Sequence, residues 1–535
     1  LMLDPGYLDF GSRTSVNQPQ HHNLILVDGQ GPVDYLDPTF RWIRRTGRPP
    51  IDGNAVLSAT ADTEIADAVT VTTRYGLPAE RAARIDRRFV LFDDRVLVIA
   101  DDVVGPGSPA RSYTWLLHGN GGAESGGSFV RTDHGATWTR DRARVTSAAA
   151  FDVSDPQFAV ETAVHENPGG VESSHRVLRA TVVGERVRAL HVLVPSRTSQ
   201  AEPTTEILRE AGTIGVVVDD DANEQRYVAL RRVAGEGALG HAGVSTDGRS
   251  LLLGIDGRGA VRTVWAERAT YIDIAGTRAV ASDGLPDVIA IRLGSDVVDV
   301  FAPGALREVV VAGLPFSAAG VDGACAIESN GTGVSVHVTG DQPFRIRSTA
   351  GPGRPAAFAG FDRRVAVGTT VVLDGSDSCD PDGDDLRHLW ELVSAPAGSA
   401  WDLEDPSAPR ARLLADRRGP YRVRLAVAEA GAESFGRASE VVIHAGDACG
   451  DGVDDDLDGL FDEDDPDCDA GSRCAGDCSG EGEVTVDELV RGVDIALGQR
   501  RLSSCREFDV DDNARVTVDE IIAALDAALR GCTVP

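Results

Sequence analysis

The chain has 535 residues and a formal net charge of -32, with 84 acidic side chains against 52 basic ones. An acidic excess of that size repels phosphate backbones and anionic lipids, so it excludes nucleic-acid and membrane-surface partners. No apolar run reaches about 18 residues, which excludes a transmembrane helix, and the length calls for three or four domains.

The opening Leu1-Met-Leu-Asp-Pro-Gly reads as the interior of a domain, so the chain is expected to be a fragment lacking its N-terminal part. From residue 20 to about 350 short alternating or apolar runs, such as Asn23–Val27, Arg95–Val103 and Ser112–Leu117, are broken by Gly, Pro and Asp. Helical periodicity is almost absent. The pattern predicts a mainly β protein whose first domain, 1–350, is a large antiparallel β-sandwich. Within it Phe89–Phe92 and Arg95–Ile99 flank Asp93-Asp94, a hairpin with a two-residue turn.

Three stretches carry the chemical interest of this domain: His21-His22-Asn23 leading into Leu24–Val27 and Asp28-Gly29, then Val98-Ile-Ala-Asp101, then Tyr113-Thr-Trp-Leu-Leu-His118. Together they resemble the C-terminal β-sandwich domain of heparinase II/III-type polysaccharide lyases. That resemblance implies a partner α/α toroid, which the 21 residues before His22 cannot supply. It also implies β-elimination at a uronate, with an imidazole and a tyrosine as base and acid rather than a nucleophile. Carried onto this chain it makes His22, or His21, the candidate catalytic histidine and Tyr75 a weaker candidate acid. His22, Asp28 and His118 become candidate zinc ligands. Without the toroid the chain is expected to be inactive. A bland alternative stands beside each: a strand-edge imidazole bonded to backbone for His22, and an ordinary Asp-Gly turn for Asp28.

Pro352 and Pro355 mark a linker. Over 355–445 the segments Val371–Ser376, Asp380–Asp385, Trp390 and Gly419–Val427 resemble a PKD domain, a small seven-stranded sandwich used as a spacer. Trp390 and Tyr421 are its expected core anchors, and Asp380–Asp385 reads as a solvated turn more than as a metal site.

After residue 445 the composition changes, to 25 acidic residues against 7 Arg, and six of the eight Cys lie here. Clustered Cys beside small core-poor modules point to disulfides and an extracellular, cell-surface or periplasmic location. Cys325 and Cys379 are expected either to pair or to be buried thiols. In the linker 446–470, Asp454, Asp456, Asp458, Asp462 and Asp465 fall at positions 1, 3, 5, 9 and 12 of a calcium loop. The same spacing recurs twice in 471–535. Asp477, Ser479, Glu481, Thr485 and Glu488 form one set, and Asp509, Asp511, Asn513, Thr517 and Glu520 the other. Glu483 and Arg515 stand at position 7, whose ligand is the backbone carbonyl. Thr485-x-x-Glu488 and Thr517-x-x-Glu520 are also capping boxes that open helices. This α module resembles a dockerin or a degenerate EF-hand pair, which implies a cohesin-like or cell-surface partner. Its second loop departs from the pattern at Ala514, where Gly is expected.

The leading reading is the C-terminal part of a secreted lyase acting on an acidic polysaccharide. The rival is a non-catalytic, calcium-dependent glycan-binding or matrix protein.

Overall fold

The computed structural model describes residues 22–31, 55–62, 65–75, 83–105, 110–153, 156–166, 172–210, 212–235, 237–282, 288–302, 307–329, 333–339, 342–360, 363–365, 367–417, 419–432, 434–445, 475–476, 478, 484–497, 505–508, 516 and 518–530. The described residues are mainly β, as expected, and their sheets are almost wholly antiparallel.

The first twelve strands are β1 (Ile25–Val27), β2 (Ala55–Asp62), β3 (Ala66–Tyr75), β4 (Ala83–Phe92), β5 (Val96–Val104), β6 (Arg111–His118), β7 (Ser128–Arg131), β8 (Gly135–Arg140), β9 (Ala143–Phe151), β10 (Gln157–Glu166), β11 (Glu172–Gly184) and β12 (Arg186–Arg197). They form a four-stranded sheet in the order β1-β6-β11-β10. They also form an eight-stranded sheet in the order β2-β3-β4-β5-β12-β9-β8-β7. The hairpin at Asp93-Asp94 is present: both residues are left-handed, with φ of 54° and 51°, and Phe92 pairs with Val96. Asp28-Gly29 makes the same kind of turn, closing Val27 onto Gln30.

Residues 204–347 add a nine-stranded and a seven-stranded sheet. The large antiparallel sandwich is a stack of four sheets, with three apolar seams. Ile25, Tyr113, Trp115 and Ala180 of the four-stranded sheet meet Ile85, Val103, Phe151 and Ala189 of the eight-stranded one. The other face of the eight-stranded sheet presents Val90, Phe92, Val98, Leu190 and Val192 to Val216, Tyr227, Leu252 and Trp265 of the nine-stranded sheet. Val217, Leu251, Leu253 and Ile291 then pack against Val280, Val309, Val311 and Val336 of the seven-stranded sheet. Because both middle sheets are buried on both faces, strands such as β5 read as continuous apolar runs instead of alternating ones.

Residues 363–445 form a separate seven-stranded unit of a four- and a three-stranded sheet. Trp390 and Tyr421 are buried at its centre, as expected. The tyrosine hydroxyl donates to Asp416 Oδ1 at 2.9 Å and accepts from the Arg417 N–H at 2.7 Å. The Pro352–Pro355 stretch is pinned to both sides. Gly353 N–H donates to Asp382 Oδ2 and Arg354 N–H to Asp322 Oδ1, and a Cys325–Cys379 disulfide crosses the junction. The Asp380–Asp385 turn is held by Asp380 Oδ1, which accepts from the backbone of Asp382 and Asp384.

Two helices are described, α1 (Val486–Ala496) and α2 (Val518–Arg530), joined through Phe508 and a Cys478–Cys505 disulfide. Among the described residues no helix is long and apolar enough to cross a membrane.

Candidate functional site

His118 ends β6, and its neighbours across the four-stranded sheet are set by register. It stands opposite Val177 of β11, while His175, two residues along, stands opposite Ala163 of β10, and His165 lies two residues beyond that. In an antiparallel sheet directly opposed residues share a face and diagonal neighbours are within reach of ring side chains. His118, His175 and His165 therefore lie in one oblique row, one imidazole per strand, on the face turned away from the eight-stranded sheet. The rings touch. His118 Nδ1 is 2.9 Å from His175 Nε2, and His175 Nδ1 is 3.0 Å from His165 Nδ1. All three are at most 1% exposed.

His22 precedes β1 in a bend where the Leu24 N–H donates to the His22 carbonyl at 3.0 Å. Ladder pairing is replaced there by a side chain, since Asn23 Oδ1 accepts from the His118 backbone N–H at 2.7 Å. The asparagine of the His-Asn step thus has a local reason: its side chain extends the strand pairing by one rung.

Asp28 is not part of this group. It follows the other end of β1, in the turn that closes Val27 onto Gln30. Its carboxylate accepts from Arg111 Nε at 2.7 Å and from the Ser112 N–H at 2.9 Å. Of the expected zinc trio, His118 lies in the buried row, His22 precedes β1, and the Asp28 carboxylate accepts from Arg111. Among the described residues no three His, Cys, Asp or Glu are arranged to hold a metal ion. Tyr75 closes β3 in the eight-stranded sheet, a different layer from the histidine row. His21 lies outside the described residues.

A second buried polar group was not anticipated from the sequence. Adjacent Asp101 and Asp102 on β5 point to opposite faces of the eight-stranded sheet. Asp101 accepts from Arg87 through two nitrogens, at 2.7 and 3.1 Å, and from the Trp115 indole at 2.6 Å. Burial pushes its carboxyl up, but the Arg87 guanidinium, with the indole, holds it below the usual carboxylate range. His191 Nε2 lies 3.9 Å from Asp101, and burial drives this imidazole down to about 4, so it is neutral at neutral pH. Asp102 accepts from Arg186 and from Arg249, at 2.7 Å for the latter, with Arg188 and Arg231 close by. Burial raises its carboxyl and these guanidiniums more than reverse that. The pair ties the layers on either side to the eight-stranded sheet.

In the tail, Thr485 caps α1. Its hydroxyl accepts from the Glu488 N–H, and Glu488 Oε2 accepts from the Thr485 N–H at 2.7 Å, completing the capping box. Glu488 and Glu520, the two position-12 residues, are 5% and 7% exposed. The other loop positions, Asp477, Ser479, Glu481, Glu483, Asp509, Asp511, Asn513, Arg515 and Thr517, lie outside the described residues, as does all of Asp454, Asp456, Asp458, Asp462 and Asp465.

No protein-family model matches the chain, and no curated protein matches it. Among solved structures it overlays in part on a heparinase III, with a TM-score of 0.31 and 11% identity over 43% of this chain and 34% of that one. It overlays on the heparan sulfate lyase of Pedobacter heparinus with a TM-score of 0.31 and 13% identity, over 48% and 34%. A chondroitin AC lyase of Streptomyces coelicolor gives 0.29 and 12%, over 55% and 36%. The chain thus spans about a third of the length of these lyases.

Proposed function

We propose that this chain is the β-stack portion and C-terminal tail of an extracellular polysaccharide lyase that cleaves uronate-containing glycans by β-elimination. The observation that carries the reading is the His22–Asn23 step seated against His118 at one end of the four-stranded sheet. In β-elimination the uronate carboxylate is neutralised, the C5 proton passes to a base, and the C4 oxygen leaves with a proton. An imidazole next to the asparagine that ties this segment to His118 suits the base, and the chemistry asks for no nucleophile. His22 is the residue we place in that role; the groups that neutralise the carboxylate belong to the toroid that the family resemblance implies. The 363–445 unit acts as a PKD-type spacer. The tail is a calcium-folded module in which Glu488 and Glu520 supply the closing ligands, and it docks to a cohesin-like or cell-surface partner.

The test is the ultraviolet absorbance of unsaturated uronate products, measured on full-length protein containing this chain, beside its His22→Ala variant. Activity on an acidic glycan that the substitution removes is the expected result. Activity that survives it takes His22 out of the mechanism, and absence of any product from every uronate polymer leaves the rival reading, a calcium-dependent glycan-binding protein.

A further inference from the structure

In the two middle sheets Arg87 meets Asp101, Arg88 meets Glu267 and Arg95 meets Asp220, each one to one. Asp102 departs from that rule. Arg186 donates to it through Nε and Nη2 at 3.0 and 2.8 Å, and Arg249 through Nη2 at 2.7 Å. Arg188 and Arg231 stand 3.5 and 3.8 Å from the same carboxylate. The other carboxylate within reach is Asp152, 3.8 Å from the Arg188 guanidinium and bonded to the Arg188 backbone N–H. Arg84 and Asp86, on the adjoining strand β4, cancel each other. Four guanidiniums against two carboxylates leave an uncompensated positive charge, in a chain whose net charge is -32. Tying two layers together needs one guanidinium from each, so a structural tie does not account for the excess.

The four arginines divide into an inner and an outer pair. Arg188 Nη1 donates to the Val233 carbonyl, and Arg231 Nη1 donates to the carbonyls of Asp101 and Ala189. Arg231 Nε is buried with no hydrogen-bond partner, and burial together with the Arg249 charge holds this guanidinium below the ordinary arginine value. Arg186 and Arg249 are the outer pair, with side chains 50% and 38% exposed. Their Nη2 atoms reach one and the same oxygen, Asp102 Oδ2, so the two nitrogens stand within about 5.5 Å of each other. Arg186 Nη1 and Arg249 Nε and Nη1 make no hydrogen bond to the described residues. An oxyanion bonded at about 2.8 Å to each side spans such a gap. We propose that Arg186 and Arg249, backed by Arg188 and Arg231, form an oxyanion subsite that takes a sulfate or carboxylate group of an acidic glycan. It lies at the end of the seam between the eight- and nine-stranded sheets, and the eight-stranded sheet separates it from the His22 segment. Paired guanidiniums match the oxygens of such groups, and a local positive field draws a polyanion that the rest of an acidic surface repels. The glycan as source of the oxyanion rests on the proposed function; the oxyanion site itself does not.

The experiment is calorimetric titration of the full chain with a sulfated hexuronate–hexosamine octasaccharide, its desulfated form, and inorganic sulfate, all at one ionic strength set with chloride. Wild type is compared with Arg186→Gln/Arg249→Gln and with Arg410→Gln/Arg424→Gln, which removes the same charge from two exposed arginines of the 363–445 unit. The expected result is octasaccharide binding that weakens about tenfold or more in the first variant and less than about twofold in the second. Binding that survives desulfation assigns a carboxylate to the site, and binding lost with it assigns a sulfate. Equal weakening in the two variants overturns the site, and so does wild type that binds none of the three probes. Inorganic sulfate bound by wild type and not by the first variant, with neither octasaccharide bound, keeps the oxyanion site and removes the glycan as its source. A second readout needs no variant: the octasaccharide should shield Arg186 and Arg249, but not Arg410 and Arg424, from an arginine-specific dicarbonyl, read by peptide mass spectrometry. Unchanged modification of Arg186 and Arg249 overturns the proposal. Binding through these arginines in a full-length protein that yields no unsaturated product removes the lyase reading and leaves the site standing.

Discussion

His191 gives the sharpest prediction about stability. Its ring lies between Trp115, at 6.0 Å between centroids, and Phe151, at 5.5 Å, and is 2% exposed. Both ring nitrogens are buried without a hydrogen-bond partner. Burial lowers its folded-state value from 6.5 to about 4, with Asp101 opposing the shift and Arg87 adding to it. A folded value below the unfolded one means that the contribution is fully present above pH 6.5. It is lost as the pH falls toward 4, because the unfolded chain takes up the proton first. Linkage across that window gives a loss of about 1.4 kcal/mol at pH 5.5 and about 2.6 kcal/mol at pH 4.5. His191→Phe removes the titrating group and keeps an aromatic ring between its two neighbours. Urea unfolding followed by tryptophan fluorescence, in which Trp115 reports locally, would be measured for both proteins at pH 7.5, 5.5 and 4.5. The stability of wild type relative to the variant should fall by those amounts. A difference that stays constant across the three pH values refutes the reasoning, and with it the neutral buried imidazole.

Three further outcomes are expected. Asp102→Ala leaves the guanidiniums of Arg186, Arg188, Arg231 and Arg249 gathered without their carboxylate, and should cost about 3–5 kcal/mol in the same urea assay. Replacing Cys325 and Cys379 by Ser frees a loop with a sequence separation of 54 residues, worth about 4 kcal/mol of chain entropy, and should expose residues 348–356 to limited proteolysis. Tyr421→Phe strands the Arg417 N–H and removes one of the two donors to Asp416 Oδ1, leaving Ser399, which should lower the stability of the 363–445 unit by about 1–3 kcal/mol, read as a lower melting transition.

Local chemistry was the legible part. Asp28-Gly29 and Asp93-Asp94 announced their turns because left-handed backbone has few tolerant residues, and Thr485-x-x-Glu488 announced its helix through a bond pattern four residues long. Layer number was hidden. Burial of a sheet on both faces erases alternation, so β5 and β12 look alike whether one sheet or two lie beyond them. His165 and His175 passed unnoticed because only the pairing of β10 with β11, and of β11 with β6, brings them to His118. In the sequence they are isolated histidines in polar alternating runs. Asp101 was noticed as part of a motif, but its partners Arg87 and His191 come from neighbouring strands and leave no mark on spacing.

The pinned junction near Pro352 has a mechanical consequence. A tail that grips a surface transmits every pull through residues 363–445 toward the stack. A free linker would let that unit swivel and would damp the force. Here the load passes across the Cys325–Cys379 bond instead, into the strand Ala326–Ser329 that leaves Cys325 and its pairing with Gly333–Val338. Under tension the protein should therefore behave as one stiff strut, and reduction of a single bond would turn that strut into a tether.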